Sequence, residues 1–244
     1  MTQTHAAEPA VHAQARSLPA RLAGILFAPR ATYAAVAAHP RWLGALLVII
    51  SLGGAITYTF LSTEIGKAAM LDQQVRTMES FGVKIPDAAY QRMEAGLDRA
   101  RYTGAAGQAV EMPLAALIVA GVALGLFSVF GGDATFKQVY AVVVHSGVIL
   151  SVSQLFGTPL AYARESMSGA TNLAVFAPFL DESSFAARAL GSVDLFILWW
   201  IVSLSIGLGV LYRKRTGPIA FTLIALYVAI GIVIAAFKTA VSGA

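Results

Sequence analysis

Residues 193–215 read VDLFILWWIVSLSIGLGVLYRKR, and this stretch decides the fold of the chain. Leu195 to Tyr212 is a run without a charged residue, long enough to cross roughly 30 Å of hydrocarbon as an α-helix. Paired tryptophans near one end and a tyrosine at the other suit the two membrane interfaces, where amphipathic rings collect. The cations Arg213–Arg215 follow at once, and such clusters mark the cytoplasmic side of a span. The stretch therefore predicts a membrane helix with a defined orientation.

The composition of the whole chain points to a membrane protein. Hydrophobic residues make up 57% of the sequence and charged residues 12%, whereas a soluble domain averages about a quarter charged. The net charge of +4 is spread along loops and span ends, which favours anionic lipid headgroups over nucleic acid as the electrostatic partner. Since there is no cysteine, disulfides, thiolate metal sites and prenyl anchors are excluded.

Two segments precede the predicted spans. Residues 1–17 lack the apolar core of a signal peptide and are predicted to be a disordered tail. Residues 18–41 predict two short amphipathic helices, separated at Ala28-Pro29. This basic amphipathic segment fits two placements equally well, either in the membrane interface or packed on the cytosolic end of the bundle.

The apolar runs predict an all-α integral membrane protein, a five-span helical bundle over residues 42–237 with a tail of residues 238–244. Pro113 and Pro218 predict the starts of the second and fifth spans, and Gly157-Thr158-Pro159 predicts the end of the third. The five predicted spans are residues 42–61, 113–130, 139–156, 195–212 and 219–237.

The links between the spans alternate in length. Spans two and three, and likewise four and five, are joined by short turns and are predicted to form antiparallel hairpins. The long link of residues 62–112 has the pattern of amphipathic helices on either side of Pro86. In the other long link, Asp181 is predicted to start a short helix.

Cations beside the span ends predict the orientation. The basic amino-terminal segment and Arg213–Arg215 outweigh the cations near span ends on the other side. The amino terminus is therefore predicted to be cytoplasmic and the carboxyl terminus extracytoplasmic.

His145 and Gln154 are the candidate polar site inside the membrane. Both lie in the predicted third span, and a polar group at membrane depth is by default a hypothesis for function. The structural alternative, which we favour, is that the imidazole donates a hydrogen bond to a serine or carbonyl of a neighbouring helix. No acidic residue lies inside a predicted span to complete a proton relay or metal site.

Helix caps and small residues account for other conspicuous positions. Asp133 or Thr135 can cap the third span and Asp194 the fourth, which explains these carboxylates without chemistry. Gly121 and Gly125 form a GxxxG pair in the second span. That spacing lets helices approach closely, and we favour packing inside the bundle over association of two copies, although the motif allows a homo-oligomer.

No enzyme signature is present. The sequence contains no H-E-x-x-H, no G-x-S-x-G and no Walker A loop, so zinc proteolysis, hydrolase-elbow chemistry and nucleotide hydrolysis lack their residues. We predict no catalytic activity, no cofactor and no metal.

Three segments taken together resemble the Yip family, whose eukaryotic members interact with Rab-type GTPases. The first is Arg21–Pro29 with Thr32-Tyr33 and Pro40. The second is Gly131–Gln138, which looks like the family's Gly-Gly-x-x-x-Phe-Lys-Gln turn. The third is Val193–Phe196 with Trp199 and Gly207-Leu208-Gly209. The residues that carry this resemblance most directly are Pro29, Gly131, Gly132, Phe136, Lys137, Asp194, Phe196 and Trp199.

The resemblance implies a non-enzymatic polytopic membrane protein, in the style of the prokaryotic members and hence in a bacterial inner membrane. The acidic Asp-Leu-Tyr-Gly-Pro segment of the eukaryotic relatives is absent before the first span, so the resemblance does not extend to Rab binding.

Two functions from different classes follow. The first is an adaptor or scaffold in membrane organisation, which contacts the bilayer and an unidentified membrane or cytosolic protein through residues 18–42 and the cytosolic turns. The alternative is a transporter of a small solute or lipid, with a polar path near His145 and Gln154.

Overall fold

The computed structural model describes residues 17–129, 131–181 and 183–241, and in these ranges the chain is helical without a β-strand. The predicted tail of residues 1–17 lies outside the described residues except for Ser17, and so do the last three residues of the predicted tail 238–244. The helices are α1 Leu18–Phe27, α2 Pro29–Ala38, α3 Leu43–Leu61, α4 Glu64–Ser80, α5 Asp87–Ala95, α6 Leu97–Val129, α7 Phe136–Ser146, α8 Val148–Ala163, α9 Phe185–Gly191, α10 Leu195–Leu211 and α11 Thr216–Val241, with a 3₁₀ turn at Leu173–Phe176.

Four helical segments in the described ranges are long and apolar enough to cross a membrane, where the sequence predicted five spans. They are Leu43–Leu61, Leu97–Val129, Phe136–Ala163 and Thr216–Val241. The remaining predicted span is α10, an apolar helix of 17 residues, or about 26 Å at 1.5 Å per residue. It is slightly shorter than the roughly 30 Å of a hydrocarbon core, because Tyr212 already leaves the helix.

The helix that contains the second predicted span begins 16 positions before Pro113, so the predicted start at Pro113 is wrong. Close packing against α3 explains why the helix is continuous. A Cβ on Gly54 would lie 3.3 Å from the Ala105 carbonyl oxygen, and one on Gly104 would lie 3.1 Å from Thr57 Cγ2. These glycines bring α3 and α6 together along residues that precede the proline, and that packing outweighs the amide hydrogen bond that Pro113 cannot donate.

The third predicted span also differs at its end. α7 and α8 follow one another across Gly147, and α8 continues through Pro159 to Ala163, so the predicted stop at Gly157-Thr158-Pro159 is wrong. Its start follows the capping prediction, since the Thr135 hydroxyl oxygen accepts from the Gln138 amide while the Gln138 side chain accepts from the Thr135 amide.

The two ends of α10 serve to name the two ends of the bundle. At the Tyr212 end, the ring of Tyr212 stacks on Phe127 of α6 with centroids 4.2 Å apart. At the Asp194 end lie α4, α5, α9 and the segment between α8 and α10.

At the start of α9, Ser184 rather than Asp181 caps the helix, which corrects the predicted helix start. Asp181 instead accepts hydrogen bonds from the backbone amide and the hydroxyl of Ser183, both at 2.8 Å, and these bonds lower the pKa of its carboxyl group.

The hydrophobic core lies where α2, α7 and α10 meet. Its fully buried side chains come from α1, α2, α3, α6, α7, α8 and α10, so both short amino-terminal helices contribute to it. In the structure both short helices pack on the bundle, and their placement relative to the membrane interface stays a prediction. The largest of these side chains are Tyr33, Ile25, Ile149, Leu208, Val36, Val139 and Val142.

Candidate functional site

The residues that carry the family resemblance fall into two groups at opposite ends of α10. One group lies at the Tyr212 end and comprises Pro29, Gly131, Gly132, Phe136 and Lys137. The other group lies at the Asp194 end and comprises Asp194, Phe196 and Trp199.

At the Tyr212 end, α2 is fixed to α10 by a buried tyrosine. The hydroxyl groups of Tyr33 and Ser203 are hydrogen-bonded at 2.7 Å, and the ring of Tyr33 has no exposed surface. Gly207 makes room for that ring, because a Cβ there would lie 3.0 Å from it and 2.5 Å from Val142 Cγ1. A glycine on α10 thus lets a side chain of α2 and one of α7 meet the same helix face.

The two amino-terminal helices form a tight hairpin. Pro29 is the first residue of α2, a position where its missing amide hydrogen costs nothing. A Cβ on Gly24 would lie 2.3 Å from the hydroxyl oxygen of Thr32, so only glycine allows this approach of α1 to α2. The hairpin, defined as residues 18–38, is therefore one rigid unit that Tyr33 attaches to the bundle.

The turn between α6 and α7 connects the hairpin to the other helices. Gly131 has a φ of +75°, a conformation that favours glycine. A Cβ on Gly132 would lie 2.6 Å from the ring of Tyr212. The Gln138 side-chain amide donates to the Ala37 carbonyl oxygen at 3.1 Å, so this turn also holds the end of α2. The resemblance at Gly131–Gln138 thus marks a structural junction.

An exposed cationic surface surrounds this junction, and we call it the basic face. Phe27, at the tip of the hairpin, is 86% exposed beside it. Among the described residues at this end, Asp133 is the one acidic residue. The Arg21 guanidinium donates to the Arg41 carbonyl oxygen at 3.0 Å, and burial together with the charge of Arg41 lowers the pKa of Arg21. The basic face consists of the exposed residues Arg30, Arg41, Lys137, Arg213, Lys214 and Arg215.

His145 is buried and bonds within its own helix. Its Nδ1 lies 2.7 Å from the Ala141 carbonyl oxygen, and its Nε2 is buried without a hydrogen-bond partner among the described residues. The sequence predicted that His145 bonds to a neighbouring helix. The bond between helices is made instead by the adjacent residue Ser146, whose hydroxyl oxygen accepts from Trp200 Nε1 at 2.9 Å. An imidazole that can reach a carbonyl one turn back satisfies one nitrogen locally.

At the other end, Asp194 is a helix cap, as the sequence predicted. Its Oδ1 accepts from the backbone amides of Phe196 at 2.8 Å and Ile197 at 3.0 Å, and its Oδ2 accepts from the Thr171 hydroxyl. The Asp194 amide donates to the Tyr227 hydroxyl oxygen at 3.0 Å, which ties α10 to α11. The ring of Phe196 lies between those of Phe156 and Trp199, with centroids 5.6 and 6.1 Å away.

Replacing Asp194 with alanine is expected to lower the free energy of unfolding by about 1–2 kcal/mol, because two amides at the start of α10 lose their acceptor. Asp194→Asn keeps an acceptor oxygen and should retain most of the stability. Thermal unfolding in detergent micelles compares the two variants. Equal losses for both would show that the charge of Asp194, and not its capping bonds, stabilises this end.

Gln154 lines a cavity of about 520 Å³ at the Asp194 end and also a second, smaller cavity. His145 lines neither of these two cavities. Two residues of α6, Gln108 and Glu111, share the larger cavity with it. Glu111 is not among the residues that the sequence pattern indicates, because the predicted span begins at Pro113 and α6 begins at Leu97. The residues before Pro113 give no strong signal for this helix, because Ala100 is the one buried residue between Leu97 and Pro113.

Gly121 and Gly125 lie on a face of α6 that no other part of the described chain covers. A Cβ on either glycine would meet no atom within 4 Å. The expected packing of this GxxxG pair inside the bundle is therefore wrong. The small residues of α10 do pack internally, since Ser203, Ser205, Gly207 and Gly209 are buried. A homo-oligomer through Gly121 and Gly125 stays a prediction.

One of the comparisons with known proteins gives a match. A family model described as the Yip1 domain matches residues 23–237, which is nearly the whole described chain and includes both groups of motif residues. No curated protein and no solved structure matches the chain. In the described ranges, no group of three or more His, Cys, Asp or Glu residues is placed to hold a metal ion.

Proposed function

The chain belongs to the Yip1 domain family and is a membrane protein, and from this premise we propose that it is a non-catalytic adaptor that docks an acidic protein partner at its basic face. In this proposal, α10 is a fifth span, the Tyr212 end is cytoplasmic and the carboxyl terminus is extracytoplasmic. The membrane is a bacterial inner membrane. The polar links and cations at the two ends support this orientation.

One observation carries the proposal: the hairpin of residues 18–38 is held rigidly by Tyr33 while its tip remains uncovered. A rigid, exposed aromatic ring beside cations is the composition of a binding hot spot. Phe27 and Arg30 provide that pair, and the cations of the α6–α7 and α10–α11 turns extend the positive potential around it. Acidic proteins fit this potential, and the adjacent anionic headgroups help to orient the hairpin.

Deletion of residues 1–41 would not test docking cleanly, because it removes the buried side chains Ile25, Tyr33 and Val36 from the core. Point variants at the surface are sharper. Arg30 lies in the first turn of α2, where a glutamate is favourable for the helix dipole, so Arg30→Glu reverses the charge without loss of helix stability.

The combined variant Phe27→Ser and Arg30→Glu is expected to reduce partner recovery about tenfold, because it removes the aromatic anchor and reverses the charge beside it. Recovery is measured by cross-linking in native membranes and quantitative mass spectrometry of the attached proteins. Arg92→Glu, an exposed position on α5, is the matched control and should leave recovery unchanged. Equal recovery with wild type and the combined variant would refute docking at the basic face. If the combined variant bound anionic vesicles more weakly than wild type and still recovered the partner, the basic face would be assigned to lipid binding.

The transport alternative needs a path that both His145 and Gln154 line. Gln154 faces a cavity, whereas His145 lies among α7 neighbours outside it. Retained solute flux in liposomes after His145→Ala would remove that residue from any path.

A further inference from the structure

We propose that the cavity of about 520 Å³ at the Asp194 end, which we call the end cavity, binds a small organic cation of the amine or quaternary ammonium class through Glu111, Gln108 and Gln154. This inference is independent of docking at the basic face, because it rests on residues at the opposite end of the bundle.

The first observation is an uncompensated carboxylate in a membrane helix. Glu111 lies 18 residues before Val129 in α6, about 27 Å along the helix, and its side chain is exposed at the level where Asp194 caps the start of α10. Its carboxylate forms no hydrogen bond or ion pair with the described residues. An ionisable group at this depth normally faces a partner or a water-filled cavity, and here it faces the end cavity.

The second observation is a pair of amide oxygens beside that carboxylate. A Cβ on Gly53 would lie 2.9 Å from Gln108 Oε1 and 2.9 Å from Gln154 Oε1, so both oxygens converge on the same glycine. Gln108 Oε1 is buried and has no hydrogen-bond partner among the described residues. A buried acceptor without a donor is costly, and a ligand with N–H groups or polarised methyl groups would satisfy it.

Gln154 and Glu111 lie at the same level along the bundle. Gln154 is 18 residues from Phe136 along α7 and α8, which is the same distance from the Tyr212 end as Glu111. Asp194 lies at the same level on α10, but both of its carboxylate oxygens are already bonded. Among the described residues that line the end cavity, none is Lys, Arg or His. The lining therefore carries negative charge with no internal counter-ion.

The size and the apolar wall select an organic cation over a bare metal ion. The volume falls within the roughly 300–1,000 Å³ of small-molecule pockets, far more than one coordinated ion occupies. Phe60, Leu61 and Met70 form an apolar side, and an aromatic ring there adds attraction for an alkylated ammonium group. The same ammonium chemistry is available from a free solute or from the headgroup of a lipid such as phosphatidylethanolamine.

The test uses the full chain in nanodiscs of phosphatidylglycerol and calorimetric titration with ethanolamine, choline and 3,3-dimethyl-1-butanol, the neutral isostere of choline. We expect at least one cation to bind about tenfold more tightly than the isostere, since a hydrogen bond or contact to a charged group discriminates by about that factor. Glu111→Gln should abolish the preference, and Glu94→Gln, on α5 outside the end cavity, should retain it. Weaker ethanolamine binding in phosphatidylethanolamine nanodiscs would identify the lipid headgroup as the natural source, and equal binding would identify a free solute.

Three results would overturn the inference: equal affinity for choline and its isostere, an unchanged preference in Glu111→Gln, or no binding of either cation. Because Glu111 makes no internal bond, its replacement should leave the thermal midpoint unaltered. If Glu111→Gln fails to fold, Gln154→Leu provides the second variant. It should weaken cation binding several-fold, and unchanged binding would count against the site.

Discussion

Replacing Tyr33 with alanine is expected to lower the free energy of unfolding by about 3–5 kcal/mol, the cost of truncating a large buried aromatic side chain. The ring is fully buried between α7 and α10, and its removal leaves a cavity and frees the hydrogen-bonded hydroxyl of Ser203. The loss should appear as a large decrease in the thermal midpoint in detergent micelles.

Tyr33→Phe is the matched control for that prediction. It retains the packing of the ring and removes one hydrogen bond, so we expect a loss of only about 1 kcal/mol. A Tyr33→Ala variant as stable as wild type would show that the hairpin of residues 18–38 is not part of the core.

Replacing Gly207 with alanine should destabilise the bundle by about 1–3 kcal/mol through overpacking. The new Cβ would lie 2.5 Å from Val142 Cγ1 and 3.0 Å from the ring of Tyr33, so at least one of these side chains must move. Val142→Ala removes the closer of the two atoms, and the double variant Gly207→Ala with Val142→Ala should be more stable than the sum of the single losses implies.

Gly121→Ala is the control for helix propensity. An added Cβ at Gly121 meets nothing within 4 Å, so this variant should match or exceed the stability of wild type. If Gly121→Ala and Gly207→Ala lost the same stability, the contact of α2 and α7 with α10 would not be the cause.

The features that could be predicted from the sequence are those with a strong local cause. Long apolar runs predicted membrane helices because uniformly apolar helices have no water-facing surface. The caps at Thr135 and Asp194 followed from short polar side chains directly before those runs. The break at Ala28-Pro29 could be predicted because proline is tolerated in the first turn of a helix and disfavoured in its interior.

The features that could not be predicted depend on contacts between distant segments. Pro113 and Pro159 look like helix boundaries, yet both lie inside helices, and at Pro113 close packing against α3 holds the neighbouring residues in place. Because Pro113 predicts a helix start, Glu111 falls in the predicted link of residues 62–112, and the pattern gives no indication of the end cavity. The role of Tyr33 was equally hidden, since its partner Ser203 is 170 residues away in sequence.

Labelling of single cysteines tests the central claim most directly, because the natural sequence has no cysteine to interfere. The variants are Arg30→Cys on the hairpin, Lys214→Cys beyond α10, and Phe179→Cys, which is 82% exposed, before it. With a membrane-impermeant maleimide, we predict that Phe179→Cys is labelled in intact cells and that Arg30→Cys and Lys214→Cys are labelled only after the membrane is opened. Labelling of Lys214→Cys and Phe179→Cys from the same side would contradict α10 as a span, and labelling of Arg30→Cys in intact cells would contradict a cytoplasmic basic face.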